Sequence, residues 1–88
     1  MKINGSFVRR DIAGDIVIVP VGETALQHNG MITTNKTGAA LWEALEKETD
    51  PDSLVSLLTE RFEVDPETAA EDVKAFLEQM RKQGFLSE

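Results

Sequence analysis

The sequence predicts an α+β domain: an N-terminal three-stranded antiparallel sheet followed by three helices. Three observations carry this reading. The first third of the chain is rich in β-branched residues broken by turn dipeptides; two Asp-Pro helix starts punctuate the second half; and from Leu41 onward apolar residues recur every three or four positions. With 88 residues there is enough chain for one hydrophobic core and too little for two, so a single domain over residues 1–88 is expected.

Taken in order, Phe7-Val8-Arg9-Arg10-Asp11-Ile12 and Ile16-Val17-Ile18-Val19-Pro20-Val21 flank Ala13-Gly14-Asp15 and read as a β-hairpin. Pro20 should end its regular pairing, because proline has no N–H to give to a ladder. Residues 22–27 fit either a loop or a short strand extension. Asn29-Gly30 is a turn signal, and the residues after it favour extended backbone, which predicts a third strand over about residues 30–34.

Asn35 is a good N-cap, and Leu41, Trp42 and Leu45 mark one face of the first predicted helix. Asp50-Pro51 places a capping carboxylate before a proline at the first helical position, and Leu54, Val55, Leu58 and Phe62 give the second helix its apolar stripe. Asp65-Pro66 repeats that start. Ala69, Val73, Phe76, Leu77 and Met80 form the stripe of the third helix, after which Gly84 can stop the helix and let Phe85 and Leu86 pack back. The shared capping chemistry of the two starts does not extend into an internal repeat.

Composition excludes much chemistry. There are no cysteines, so disulfides, thiolate nucleophiles and cysteine-ligated metals are ruled out, and the cytoplasm is the expected compartment. Neither a signal peptide nor a run of ~20 apolar residues is present, so no membrane partner is expected. His28, the single imidazole, has no second histidine or thiol to act with and reads as a turn residue. The carboxylates, 16 in all, fall largely on helix starts and polar faces, where capping and solubility explain them. No phosphate-cradling glycine motif occurs, so no cofactor is expected, and Trp42 reads as a core anchor. Nothing nominates a catalytic residue or a metal site.

What remains is an interaction surface. A sheet of three short strands leaves edges whose unpaired N–H and C=O groups can accept another extended chain. If residues 30–34 form an edge and the third helix lies beside it, the two bound a groove for an added peptide strand. On that helix Glu67, Glu71 and Glu78 lie on one flank and Lys74 and Arg81 on the other, a split that can steer an acidic partner but equally suits an ordinary solvated face.

The segment Asn29-Gly30-Met31-Ile32-Thr33-Thr34-Asn35-Lys36-Thr37-Gly38-Ala39-Ala40-Leu41-Trp42 resembles the "x-x-L-N-x-T-G-x-x-I/L-W" stretch of PqqD-like proteins. Downstream, Leu54 through Phe62, then Glu63-Val64-Asp65, Ala69-x-x-Asp72-Val73-x-x-Phe76-Leu77 and Gly84-Phe85-Leu86 are similar to the family's later course. The resemblance runs from about Phe7 to the C-terminus. Two positions depart from it: Thr34 stands where leucine is usual, and Lys36 where glutamate is frequent.

The resemblance implies a winged helix-turn-helix-like fold serving as a recognition element for ribosomally made precursor peptides. The leader of such a peptide would add as a strand to the third β-strand, beside the third helix, for a partner maturation enzyme such as a radical SAM protein. In that mode Met31, Ile32, Thr33 and Thr34 would supply main-chain hydrogen bonds, and Val73, Phe76, Leu77 and Met80 would floor or border the groove. Lys74 and Arg81 are candidates, chosen from the charge pattern alone, for contacting acidic leader side chains. The rival reading is a DNA-binding regulator of the same general fold. It is disfavoured by the net charge of −7, which opposes attraction to phosphate backbones, so no nucleic-acid partner is expected. Exposed edges also permit a homodimer, which is compatible with peptide binding.

Overall fold

The computed structural model describes residues 1–28 and 30–87; Asn29, half of the expected turn signal, lies outside the described residues. The elements in chain order are β1 (Lys2–Ile3), β2 (Phe7–Ile12), β3 (Asp15–Pro20), α1 (Glu23–Gln27), β4 (Ile32–Thr34), α2 (Lys36–Ala44), α3 (Pro51–Arg61), α4 (Pro66–Lys82) and β5 (Leu86–Ser87). The expected α+β architecture is present: β2, β3 and β4 form an antiparallel sheet in that order, and α2, α3 and α4 are the three expected helices.

The β2–β3 hairpin closes through two residues, Ala13 and Gly14, with φ of 50° and 92°. Both positive values suit the left-handed turn that matches strand twist in a two-residue hairpin. Register pairs Phe7 with Pro20, Arg9 with Ile18 and Asp11 with Ile16, so these residues share one face of the sheet. That face is the inner one. Ile16, Ile18 and Ile32 are buried on it, in one cluster with Leu41, Trp42 and Leu45, with Leu54 and Leu58 of α3, and with the α4 stripe of Ala69, Val73, Phe76, Leu77 and Met80. The opposite face carries Val8 and Ile12, both exposed.

The helices α2, α3 and α4 each start where the capping residue predicts. The side-chain oxygen of Asn35 accepts from the Gly38 N–H at 2.9 Å, Asp50 from Ser53 at 2.8 Å and Asp65 from Thr68 at 2.8 Å. Accepting these bonds holds the Asp50 and Asp65 carboxyls below their ordinary pKa. At the other end of α4 the Phe85 N–H donates to the Met80 carbonyl at 3.0 Å, turning the buried Phe85 ring back onto the core. A chain of edge-to-face rings follows: Trp42 to Phe7 at 4.8 Å, Phe7 to Phe85 at 4.9 Å, and Phe85 to His28 at 4.6 Å. His28 thus packs as a ring at the margin of the core, and Trp42 is the anchor expected.

Two features depart from the sequence reading. Residues 23–27 form a short helix rather than a loop or strand extension, with none of its residues buried. The chain ends also meet: β1 pairs antiparallel with β5, supported by bonds from Ile3 N–H to Leu45 and Asn4 N–H to Phe85, both 2.7 Å. Strands of two residues are too short to show a period in sequence.

Candidate functional site

β4 ends the strand order, and among the described residues no strand pairs with its far side. Which of its main-chain groups face outward follows from the hairpin. The Val21 N–H donates to the Ser6 carbonyl at 3.0 Å, one step beyond the Phe7–Pro20 pair. In an antiparallel ladder bonded and non-bonded pairs alternate. Val19 and Val17 therefore turn their main-chain groups toward β2, while Ile18 and Ile16 turn theirs toward β4. Their partners there are Ile32 and Thr34, which are bonded into the sheet, so Thr33 directs its N–H and C=O to the free edge. Continuing the register would set Pro20 opposite Gly30. Proline has no N–H to donate, which accounts for β4 beginning at Ile32 rather than at Gly30.

Beside this edge runs a groove of about 220 Å³. One bank is the end of β4 and the start of α2, with Thr34, Asn35, Thr37 and Gly38; the other is α4, with Asp72, Ala75, Phe76 and Gln79; Leu41 lies at the bottom. The banks come close because of Gly38. A Cβ built on it would collide with the Thr34 hydroxyl, so this position of α2 accepts the strand only without a side chain. Asn35 holds the same corner: its side-chain oxygen accepts from both the Gly38 N–H and the Thr37 hydroxyl, the latter at 2.8 Å.

The sequence-predicted residues distribute unevenly around this groove. Thr34 and Phe76 line it. Thr33 presents main-chain groups to the edge, and Met31, 62% exposed, precedes the strand. Ile32 is buried and turned into the sheet. Val73, Leu77 and Met80 are buried at 2%, 3% and 0% exposure, so they support the α4 bank from behind rather than border the groove. Lys74 and Arg81 sit two residues beyond Asp72 and Gln79, about 200° around the helix at 3.6 residues per turn, and so on a different face from the groove residues.

Sequence reasoning missed Asp72, Ala75 and Gln79. They recur at helical spacing alongside the apolar stripe, a usable signal, but only the placement of β4 says which flank of that stripe meets the strand. A larger cavity, about 570 Å³, opens between the hairpin tip, α2 and α3, with Arg9, Asp15, Lys36, Glu43, Arg61 and Phe62 in its wall. Its charges partly satisfy one another, Arg9 pairing with Asp11 at 3.0 Å and Glu43 at 3.9 Å, and its wall includes Arg9 and Asp11 of β2, the strand at the other edge of the sheet. Among the described residues no three His, Cys, Asp or Glu side chains are grouped to hold a metal ion, and no helix is long and apolar enough to cross a membrane.

Comparison with known proteins adds the following. No curated protein matches the chain significantly. Among solved structures, "TbiB1 in Complex with the TbiA(beta) Leader Peptide" aligns over 99% of this chain and 95% of that one, with a TM-score of 0.73 and 22% identity, a likeness of fold. Residues 16–86 match the family model described as "Coenzyme PQQ synthesis protein D (PqqD)". On that match, which spans β3 through β5, the chain belongs to the PqqD family.

Proposed function

We propose that this chain is a non-catalytic recognition module, one winged-helix-like domain, that binds the leader of a ribosomally made precursor peptide. The leader adds as a fourth strand on the free edge of β4, with its side chains lodged against α4, and is presented to a maturation enzyme such as a radical SAM protein. The observation that carries this reading is the coincidence of an outward-facing Thr33 backbone with a groove walled by α4. Support comes from the family and from the leader peptide bound by the structural neighbour TbiB1. The single imidazole, His28, is taken up edge to face with the Phe85 ring at the margin of the core. The module is expected to act in the cytoplasm, and a homodimer that paired through the same edge would compete with the leader.

DNA binding fits less well. Arg61 is the one cation of α3, and α4 mixes Lys74, Arg81 and Lys82 with Glu67, Glu71, Asp72 and Glu78.

Binding calorimetry with the leader segment of a precursor peptide from the same genome tests the proposal. The expected Kd is on the order of 0.1–10 μM, because a disordered leader must be ordered on docking. Thr33→Pro removes the outward N–H while leaving the sheet's internal bonds, and should weaken binding at least tenfold with the circular dichroism spectrum intact. Undiminished binding by that variant, or binding of mixed-sequence duplex DNA in place of peptide, contradicts it.

A further inference from the structure

We infer that the groove selects a leader segment carrying a basic side chain two residues from an apolar one. The inference rests on the strand-addition reading above and adds the chemistry of the ligand.

Asp72 is the one ionisable side chain on the groove lining. It is exposed, and it takes no part in the ion pairs that join the N-terminus to Glu48 and Arg9 to Asp11 and Glu43. On its own helix no cation stands at the neighbouring positions of the same face. The positions three and four residues away are Ala69, Thr68, Ala75 and Phe76, and Lys74 lies about 200° around the helix. Across the groove the Asn35 side-chain oxygen is already occupied by Gly38 and Thr37. The Asp72 carboxylate is therefore the charged acceptor left for a ligand, and a cation is its complement. The chain's net charge of −7 draws a basic segment in the same direction.

One turn further along α4, Ala75 is small and exposed, and the Phe76 ring, 7% exposed, lies next to it over Leu41. That leaves apolar room for one side chain. The helical rise from Asp72 to Ala75 or Phe76 is about 4.5–6 Å. Same-face side chains on an added strand repeat every ~6.6 Å. Adjacent same-face residues of the leader thus reach both places at once, giving the pattern basic, any residue, apolar, in either chain direction. The acidic leader anticipated from Lys74 and Arg81 is replaced by its opposite.

The test is selection of a displayed random eight-residue peptide library on the whole chain and on two variants, Asp72→Asn and Asp72→Lys, with folding of each checked by circular dichroism. The wild type should enrich Lys or Arg two positions from an apolar residue, Asp72→Asn should lose the basic preference, and Asp72→Lys should exchange it for Asp or Glu. An enriched peptide, synthesised, should bind Asp72→Asn roughly three- to fivefold more weakly at low salt, as an exposed ion pair would, and the gap should shrink as salt is added. Peptides retained equally by all three proteins with no charge preference would overturn this inference and leave strand addition standing. Failure of the wild type to retain any peptide would overturn both.

Discussion

Thr33 and Ile32 are adjacent, and both were natural candidates for bonding a ligand, yet they face opposite ways. The sequence shows that both favour a strand; it does not show which one the sheet consumes, because that depends on the phase of the ladder set at Val21 and Ser6. Ile32→Pro would therefore attack the sheet itself, and Thr33→Pro the edge. The same limit explains Lys74 and Arg81. Their seven-residue spacing was legible, but the face they occupy has meaning only once β4 is placed against α4. Ala13 yields a prediction on stability. It holds a φ of 50°, where a Cβ is disfavoured and asparagine is tolerated. Ala13→Asn should stabilise the fold by about 0.5–1 kcal/mol, read as a raised urea midpoint with unchanged slope. No gain would mean that the turn relaxes away from this geometry.

At the scale of elements, capping and periodicity made α2, α3 and α4 readable, because each carries a side-chain cap and a buried stripe at helical spacing. α1 has neither a side-chain cap nor a buried residue, and Leu26 is 86% exposed, so no pattern announced it. β1 and β5 exist through each other and could be found only in three dimensions. The caps carry a pH dependence. Asp50 and Asp65 have native pKa values depressed below the ordinary 3.8 by the N–H groups of Ser53 and Thr68. Their stabilisation is thus complete above that value and lost as pH falls through the lower native ones. The urea midpoint of the wild type should fall on acidification in this range. The double variant Asp50→Asn, Asp65→Asn, which keeps the acceptors but not the charges, should fall less steeply. Parallel curves would place the acid sensitivity in other carboxylates.

For the whole molecule, one core underlies both the sheet and α4. The inner sheet face contributes Ile18 and Ile32, and α4 contributes Val73 and Met80, to one buried cluster, so the strand and the helix that flank the groove rest on the same core. α4 works on two adjacent faces: one supports the core, and the other, with Asp72, Ala75 and Gln79, lines the groove. The architecture was legible from turn, cap and stripe signals, and the family from the resemblance of residues 29–42 and the segments after them to PqqD-like proteins. The groove's lining was not, since it joins residues 34–41 to residues 72–79, far apart in the chain. The central claim, that an extended peptide pairs with β4, is tested most directly by a ¹⁵N–¹H NMR titration with a leader peptide. The Thr33 amide should show a large downfield shift as it gains a hydrogen bond, residues 72–79 should shift with it, and the amides of Ile32 and Thr34, already bonded to β3, should shift less. Shifts gathered instead around Lys36, Arg61 and Phe62, with Thr33 unmoved, would place the partner in the other cavity and contradict the account.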